Sequence, residues 1–106
     1  MAAVAPAASF AAMPEIQAHR GGSFVAGKAT YAENALPAFR AAARSGFVLE
    51  LDVGVTSDGV PVVLHDNALE RTTSCTGQLN AFTLEQLAAC PNDIVGAPGG
   101  TLGWKR

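Results

Sequence analysis

The sequence predicts an α/β fold in which a strand, a helix and a second strand follow one another near the start of the chain. Three observations carry this. A short apolar segment, EIQA, ends in His19-Arg20-Gly21-Gly22. A helical stretch, ENALPAFRAAARSG, comes within a dozen residues of it. The segment FVLELDVGVT then alternates strictly from Leu49 onward. A strand–helix–strand order predicts parallel pairing through a right-handed crossover. Such sheets need cover on both faces, so one crossover helix leaves a small sheet or requires more chain.

The elements run in order. Glu15 to Ala18 is short enough for one strand, and the paired glycines behind it allow a sharp turn and close backbone approach. SFVAGKATYA reads as a loop. In the helix, Leu36, Phe39 and Ala43 form an apolar stripe at helical spacing. Pro37 is tolerated in the first turn, and Gly46 sits where a glycine ends a helix. In FVLELDVGVT, Phe47, Leu49, Leu51, Val53 and Val55 share one parity and Glu50, Asp52, Gly54 and Thr56 the other. Strand geometry puts the two sets on opposite faces, and the apolar set is expected to be buried. Ser57-Asp58-Gly59 signals a turn, and PVVLHD is a second strand ending in His65-Asp66. NALERTTSCTGQLN reads as a polar loop. Thr83 is placed to cap a helix, TLEQLAAC, with Glu85 and Gln86 in its first turn. GAPGGTLGW is glycine-rich and irregular.

Composition excludes several classes. Only 15% of residues are charged and about half are apolar, which suits a packed core rather than disorder. The formal charge is −2, so nothing basic invites nucleic acid or an anionic membrane surface. No apolar run approaches the roughly 20 residues needed to span a bilayer, so no stable membrane insertion is expected. Residues 1–14, MAAVAPAASFAAMP, read as a flexible Ala-rich leader. They lack the positive start of a complete signal peptide and read either as the stretch behind a removed export signal or as a tail without a role. An extracytoplasmic or secreted location is the expectation, with a cytoplasmic one as the alternative. Cys75 and Cys90 are the two cysteines. They flank a polar stretch that a disulfide would staple in an oxidising compartment; two free buried thiols are the other reading.

Four polar residues stand where pattern alone predicts core or loop filler: His19, Glu50, Asp52 and His65. Each lies at or near a strand end, and in parallel α/β folds sites form at the carboxyl ends of strands. Glu50 and Asp52, two apart on a strand, point to one face. Burying two unpaired carboxylates costs several kcal/mol, and a divalent cation offsets this. Hard oxygen donors suit Ca²⁺ or Mg²⁺ better than Zn²⁺. The plain alternative is a solvent-facing strand carrying two ordinary acids. His19 and His65 are the only histidines and can divide general acid and base work; taken singly, either reads equally as a structural histidine. Arg20 has the donor fork for a phosphate oxygen, and Lys28 is a weaker candidate for the same task. GSFVAGK, residues 22–28, matches the first seven positions of a phosphate-binding P-loop. The next residue is Ala29, without the hydroxyl that holds Mg²⁺, and the helix does not start at the lysine. A nucleotide site is therefore not expected.

AHRGG, AENALPAF and ELDVGVTSDGVPVVLHDNALERTT, in this order and spacing, resemble the glycerophosphodiester phosphodiesterase family, from about Glu15 to about Leu87. The resemblance implies a TIM-type (β/α)₈ barrel with a small insertion near its second strand. It implies that His19 and His65 are the catalytic acid–base pair, that Arg20 contacts phosphate and that Glu50 and Asp52 bind a divalent metal. Glu33, in AENA, matches the glutamate of the family's PENT motif and belongs beside metal or substrate. The proline and threonine of that motif are replaced by Ala32 and Ala35. The family also supplies a further metal-ligating carboxylate on a later strand. A full barrel needs about 250 residues, so residues 15–106 are expected to be its N-terminal portion, incomplete here. The implied reaction is metal-dependent hydrolysis of a small glycerophosphodiester to an alcohol and glycerol 3-phosphate. The alternatives are a related phospholipase D-like or sphingomyelinase-type phosphodiesterase and a non-catalytic fragment. The 106 residues alone are expected to turn over little, and a longer parent to be active.

Overall fold

A computed structural model describes residues 15–97 and the backbone of a strand at Trp104–Lys105. The expected leader, residues 1–14, and residues 98–103 and 106 lie outside the described residues.

The strand–helix–strand start is present. Strand β1 (Gln17–Ala18) leads into a tight turn, His19–Gly21, and after a hairpin come helix α1 (Leu36–Arg44) and strand β4 (Val48–Leu49). β1 and β4 pair in parallel, Gln17 opposite Val48 and Ala18 opposite Leu49. Strand β7 (Trp104–Lys105) pairs antiparallel on the other side of β1, so the sheet order is β4-β1-β7. The irregular reading of GAPGGTLGW thus fails at its last residue, Trp104.

Helix α1 begins at Leu36, not Glu33, because Asn34 adopts a left-handed backbone and Ala35 an extended one. Pro37 lies in the first turn, and Gly46, at φ +76, comes after the Ser45 cap. The helix packs through Ala38 and Ala42, one turn apart, and the expected Leu36 anchor is 64% exposed. Small residues win this face because the helix lies close against the His19–Gly21 turn and β4. A Cβ built on Gly21 would sit 3.0 Å from Ala38 Cβ and 3.1 Å from the Phe39 ring.

The stretch SFVAGKATYA is not a loop but a two-stranded hairpin, β2 (Phe24–Val25) and β3 (Lys28–Ala29). Ala26 and Gly27 both take positive φ at its tip, as two-residue hairpins demand. Its base is closed by Ser23, whose carbonyl accepts from the amides of Thr30 and Tyr31. Lys28 lies on a strand, which removes the helix N-terminus that a P-loop needs.

The long alternating strand is two strands. β4 ends at Leu49, and β5 (Val53–Val55) pairs antiparallel with β6 (Pro61–Val63), Gly54 opposite Val62. Between them Glu50, Leu51 and Asp52 change partners: the Glu50 amide donates to the Ala18 carbonyl, while the Asp52 carbonyl accepts from the Leu64 amide. Of the apolar set expected to be buried, Phe47 is half-buried and the other four are exposed, with Val53 at 60% and Leu51 at 44%. Packing goes instead to Leu64, Leu69 and Leu79, with Val62, Cys75, Phe82 and Leu87 around them. Gly54 makes room for that cluster, since a Cβ there would meet the Leu79 side chain.

The hairpin turn is built by Thr56-Ser57-Asp58-Gly59. The buried Thr56 hydroxyl bonds the Asp58 carboxylate and accepts from the Val60 amide, and Gly59 takes φ +80. Asp58 also accepts from the Leu84 amide at the start of helix α2 (Leu84–Leu87). That helix is shorter than TLEQLAAC, but its start is as read. Thr83 and Gln86 bond each other's backbone amides reciprocally, a capping box. Cys75 and Cys90 form a disulfide, which excludes the free-thiol reading. No helix among the described residues is long and apolar enough to cross a membrane.

Candidate active site

The site grows from the turn after β1. Arg20, Gly21 and Gly22 stand in a row in left-handed backbone, which costs a non-glycine residue of order 1 kcal/mol or more. Hydrogen bonds on both sides hold Arg20 there. Its amide donates to Glu50 Oε2 at 2.8 Å, and its carbonyl accepts from the Asn34 amide at 2.7 Å. Glu50 is stitched to the same turn by its own backbone, donating to Ala18 and accepting from Gly21. Parallel pairing of β1 with β4 therefore sets the histidine and the carboxylate side by side.

His19 Nδ1 lies 2.7 Å from Glu50 Oε2. His65 Nδ1 lies 2.7 Å from Asp66 Oδ1. A carboxylate oxygen accepts, so each ring donates from Nδ1 and keeps Nε2 as its other functional nitrogen. His19 is sheltered, with its side chain 12% exposed, whereas His65 is 40% exposed.

Arg20 is buried, and its charge meets two carboxylates. Nη1 donates to Glu33 Oε1 at 3.3 Å, and Nε lies 3.8 Å from Asp52 Oδ2. Asp52 also accepts from Asn34 Nδ2 at 3.1 Å. Glu33 is buried and receives both ends of a second guanidinium: Arg71 Nη1 donates to Oε2 at 2.9 Å and Nη2 to Oε1 at 2.6 Å. Burial pushes the Glu33 carboxyl up, but the Arg71 hydrogen bonds and the charges of Arg71 and Arg20 outweigh it and hold it below its ordinary value. Arg71 also grips Asp66, Nε to Oδ2 at 2.8 Å and Nη2 to Oδ1 at 3.0 Å, and these bonds hold Asp66 well below the carboxylate range.

Six of the seven residues singled out in the sequence thus lie in one connected set. Glu50 contacts His19 and Arg20, Arg20 contacts Glu33 and Asp52, and Arg71 joins Glu33 to Asp66 and His65. Lys28 does not join; its carbonyl accepts from Thr30 in the hairpin. Sequence reading missed three members. Asn34 stands inside the quoted AENA motif. Asp66 stands inside the HD motif. Arg71 lies in a segment that read as polar loop and gave no periodic signal. Among the described residues, no group of three or more His, Cys, Asp or Glu side chains is placed to hold a metal ion; Glu50 and Asp52 offer two oxygen-donor side chains.

The sequence model of the glycerophosphoryl diester phosphodiesterase family matches residues 19–101. The chain belongs to that family. It is 51% identical over 71 residues to glycerophosphodiester phosphodiesterase 1 of Homo sapiens, covering 66% of this chain and 20% of that protein. Its structure is similar to the glycerophosphodiester phosphodiesterase of Agrobacterium tumefaciens, with TM-score 0.68 and 32% identity over 76% of this chain and 33% of the other. It is also similar to a phosphodiesterase of Oleispira antarctica in complex with the product sn-glycerol-3-phosphate, with TM-score 0.67 and 31% identity over 80% of this chain and 33% of the other. The chain therefore spans between a fifth and a third of these proteins' length. These solved neighbours are TIM-barrel enzymes, and the chain matches part of that barrel.

Proposed function

We propose that the protein carrying these residues hydrolyses glycerophosphodiesters to an alcohol and glycerol 3-phosphate, with His19 and His65 as its acid–base pair. The observation that carries this is the unbroken line of hydrogen bonds from His19 through Glu50, the amide and guanidinium of Arg20, Glu33, Arg71 and Asp66 to His65. Two rings, each fixed through Nδ1 by a carboxylate, are oriented for proton transfer at Nε2. One takes the proton of the attacking hydroxyl or water, and the other protonates the leaving alkoxide. Arg20 would bind a phosphoryl oxygen, with Glu33 holding its guanidinium. The Oleispira relative, with its bound sn-glycerol-3-phosphate, supports the choice of substrate class.

Glu50 and Asp52 fit a divalent ion by donor chemistry, as hard oxygens suited to Ca²⁺ or Mg²⁺. They make part of a shell of about six donors, which water and phosphate oxygens would extend. Such an ion, when bound, would offset charge on the phosphoryl group. The disulfide supports an extracytoplasmic or secreted location, because the cytosol keeps thiols reduced.

The test is release of glycerol 3-phosphate from glycerophosphocholine by the longest natural polypeptide that contains these residues. Turnover that EDTA abolishes, and that His19→Ala or His65→Ala lowers by about 10²-fold or more, is expected. Full turnover in EDTA would remove the metal. Failure to release glycerol 3-phosphate, or full activity in both alanine variants, would overturn the assignment.

A further inference from the structure

We propose that Arg71 is the positioning residue for His65: by clamping Asp66 against Glu33, it fixes the carboxylate that holds the His65 ring in its Nδ1–H form. The inference rests on the reading of His65 as an acid–base group only for its consequence in catalysis. The geometry itself stands apart from that reading.

The Asp66 carboxylate has two oxygens and three side-chain bonds. Oδ1 accepts from His65 Nδ1 at 2.7 Å and from Arg71 Nη2 at 3.0 Å, and Oδ2 accepts from Arg71 Nε at 2.8 Å. One edge of the guanidinium thus holds the carboxylate plane, and that plane aims Oδ1 at the ring. The other edge is seated on Glu33, at 2.6 and 2.9 Å. Glu33 is itself buried, and its carbonyl accepts from Asn92 Nδ2 at 2.7 Å. Arg71 is rigid at its base too. Leu69 and Thr72 are fully buried beside it, and Thr73 bonds the Leu69 carbonyl through both amide and hydroxyl.

A planar fork that binds two carboxylates along two edges is a task for arginine; lysine offers a point charge. The Arg71 bonds also hold Asp66 well below the carboxylate range, so Asp66 stays an acceptor at any pH where the enzyme would work. An acceptor on Nδ1 leaves the lone pair of a neutral ring on Nε2. His65 is 40% exposed, the more open of the two rings. Without the clamp, Asp66 is a partly exposed side chain next to its histidine in sequence and is free to rotate away.

A merely structural ion pair would stabilise the chain without selecting a ring tautomer, and this separates the two roles. The experiment is long-range ¹H–¹⁵N NMR on the longest natural polypeptide that contains these residues, at about pH 8, above the ordinary imidazole range. In the wild type, the His65 bare-nitrogen resonance is expected at Nε2. In Arg71→Gln the two His65 nitrogens should move toward a mixture of tautomers, while His19, held by Glu50, keeps its pattern. Arg71→Lys should fail to restore the wild-type pattern. If Arg71→Gln loses its folded amide spectrum, Glu33→Gln, which loosens the far edge of the clamp, should move His65 in the same direction. An unchanged His65 pattern in the folded variant would overturn the proposal. The readout needs no turnover, so that polypeptide, if inactive but with the expected tautomer shift, would count against the phosphodiesterase reading and not against the clamp.

Discussion

Gly21 shows how one missing side chain positions the site. Its φ of +84 favours glycine, and a Cβ built there would lie so close to Ala38 and the Phe39 ring that they would have to give by a few tenths of an ångström. Gly27 has a similar φ of +78 but open space around it. Gly21→Ala should therefore lower stability by about 2 kcal/mol or more, from backbone strain plus overpacking, and Gly27→Ala by about 1 kcal/mol, from strain alone. Urea unfolding of both variants measures the difference; equal losses would mean that the contact with α1 contributes nothing. The residues of the site were legible to different degrees for physical reasons. His19, Glu50, Asp52 and His65 betray themselves as polar groups at strand ends. Arg20 offered a donor fork beside one of them, and Glu33 needed the motif around it. Arg71 had no local signature, because its partners are 38 and 5 residues away and its segment has no periodicity. Asn34 owes its place to a left-handed backbone that composition does not reveal.

At the scale of elements, the disulfide ties the segment after Arg71 to the segment before Asn92, and both residues hold Glu33. Closing a loop of 15 residues stabilises by about 3 kcal/mol in the chain-entropy account. Reduction, or Cys75→Ser with Cys90→Ser, should therefore lower stability by about that amount in chemical denaturation. Two thiols titrating in the unreduced, denatured protein, or unchanged stability after reduction, would refute the staple. The β1–α1–β4 order, the TSDG turn and the Thr83 cap were readable because each depends on residues within a few positions. The break between β4 and β5 was not. Strict alternation specifies which face a side chain takes, and it is silent on where a strand leaves one partner for another. The hairpin at Phe24–Ala29 was missed for a related reason: Ala26 at positive φ is an unusual choice for a tip that favours Asn or Gly.

For the molecule as a whole, a charge network ties the first half of the described chain to the second. Arg20, Glu33, Asp66 and Arg71 are linked across the fold, and Glu33 and Asp66 are both held below their ordinary pKa values. A carboxylate depressed in the folded state stabilises it fully above the unfolded pKa and loses that contribution as pH falls through the folded value. Stability measured by urea unfolding should thus decline as pH falls below about 4, the unfolded carboxylate range. Arg71→Gln should flatten that acid loss, and an equally steep loss in the variant would show that other groups cause it. The hairpin tip at Ala26-Gly27 lies outside all of this. It is exposed, a side chain on Gly27 would meet nothing, and its base is sealed at Ser23. Loop tips of this kind accept inserted peptide readily. An affinity epitope or a fluorophore-binding sequence spliced between those two residues would give the protein a handle a few positions from its HRG turn while leaving the folded frame undisturbed.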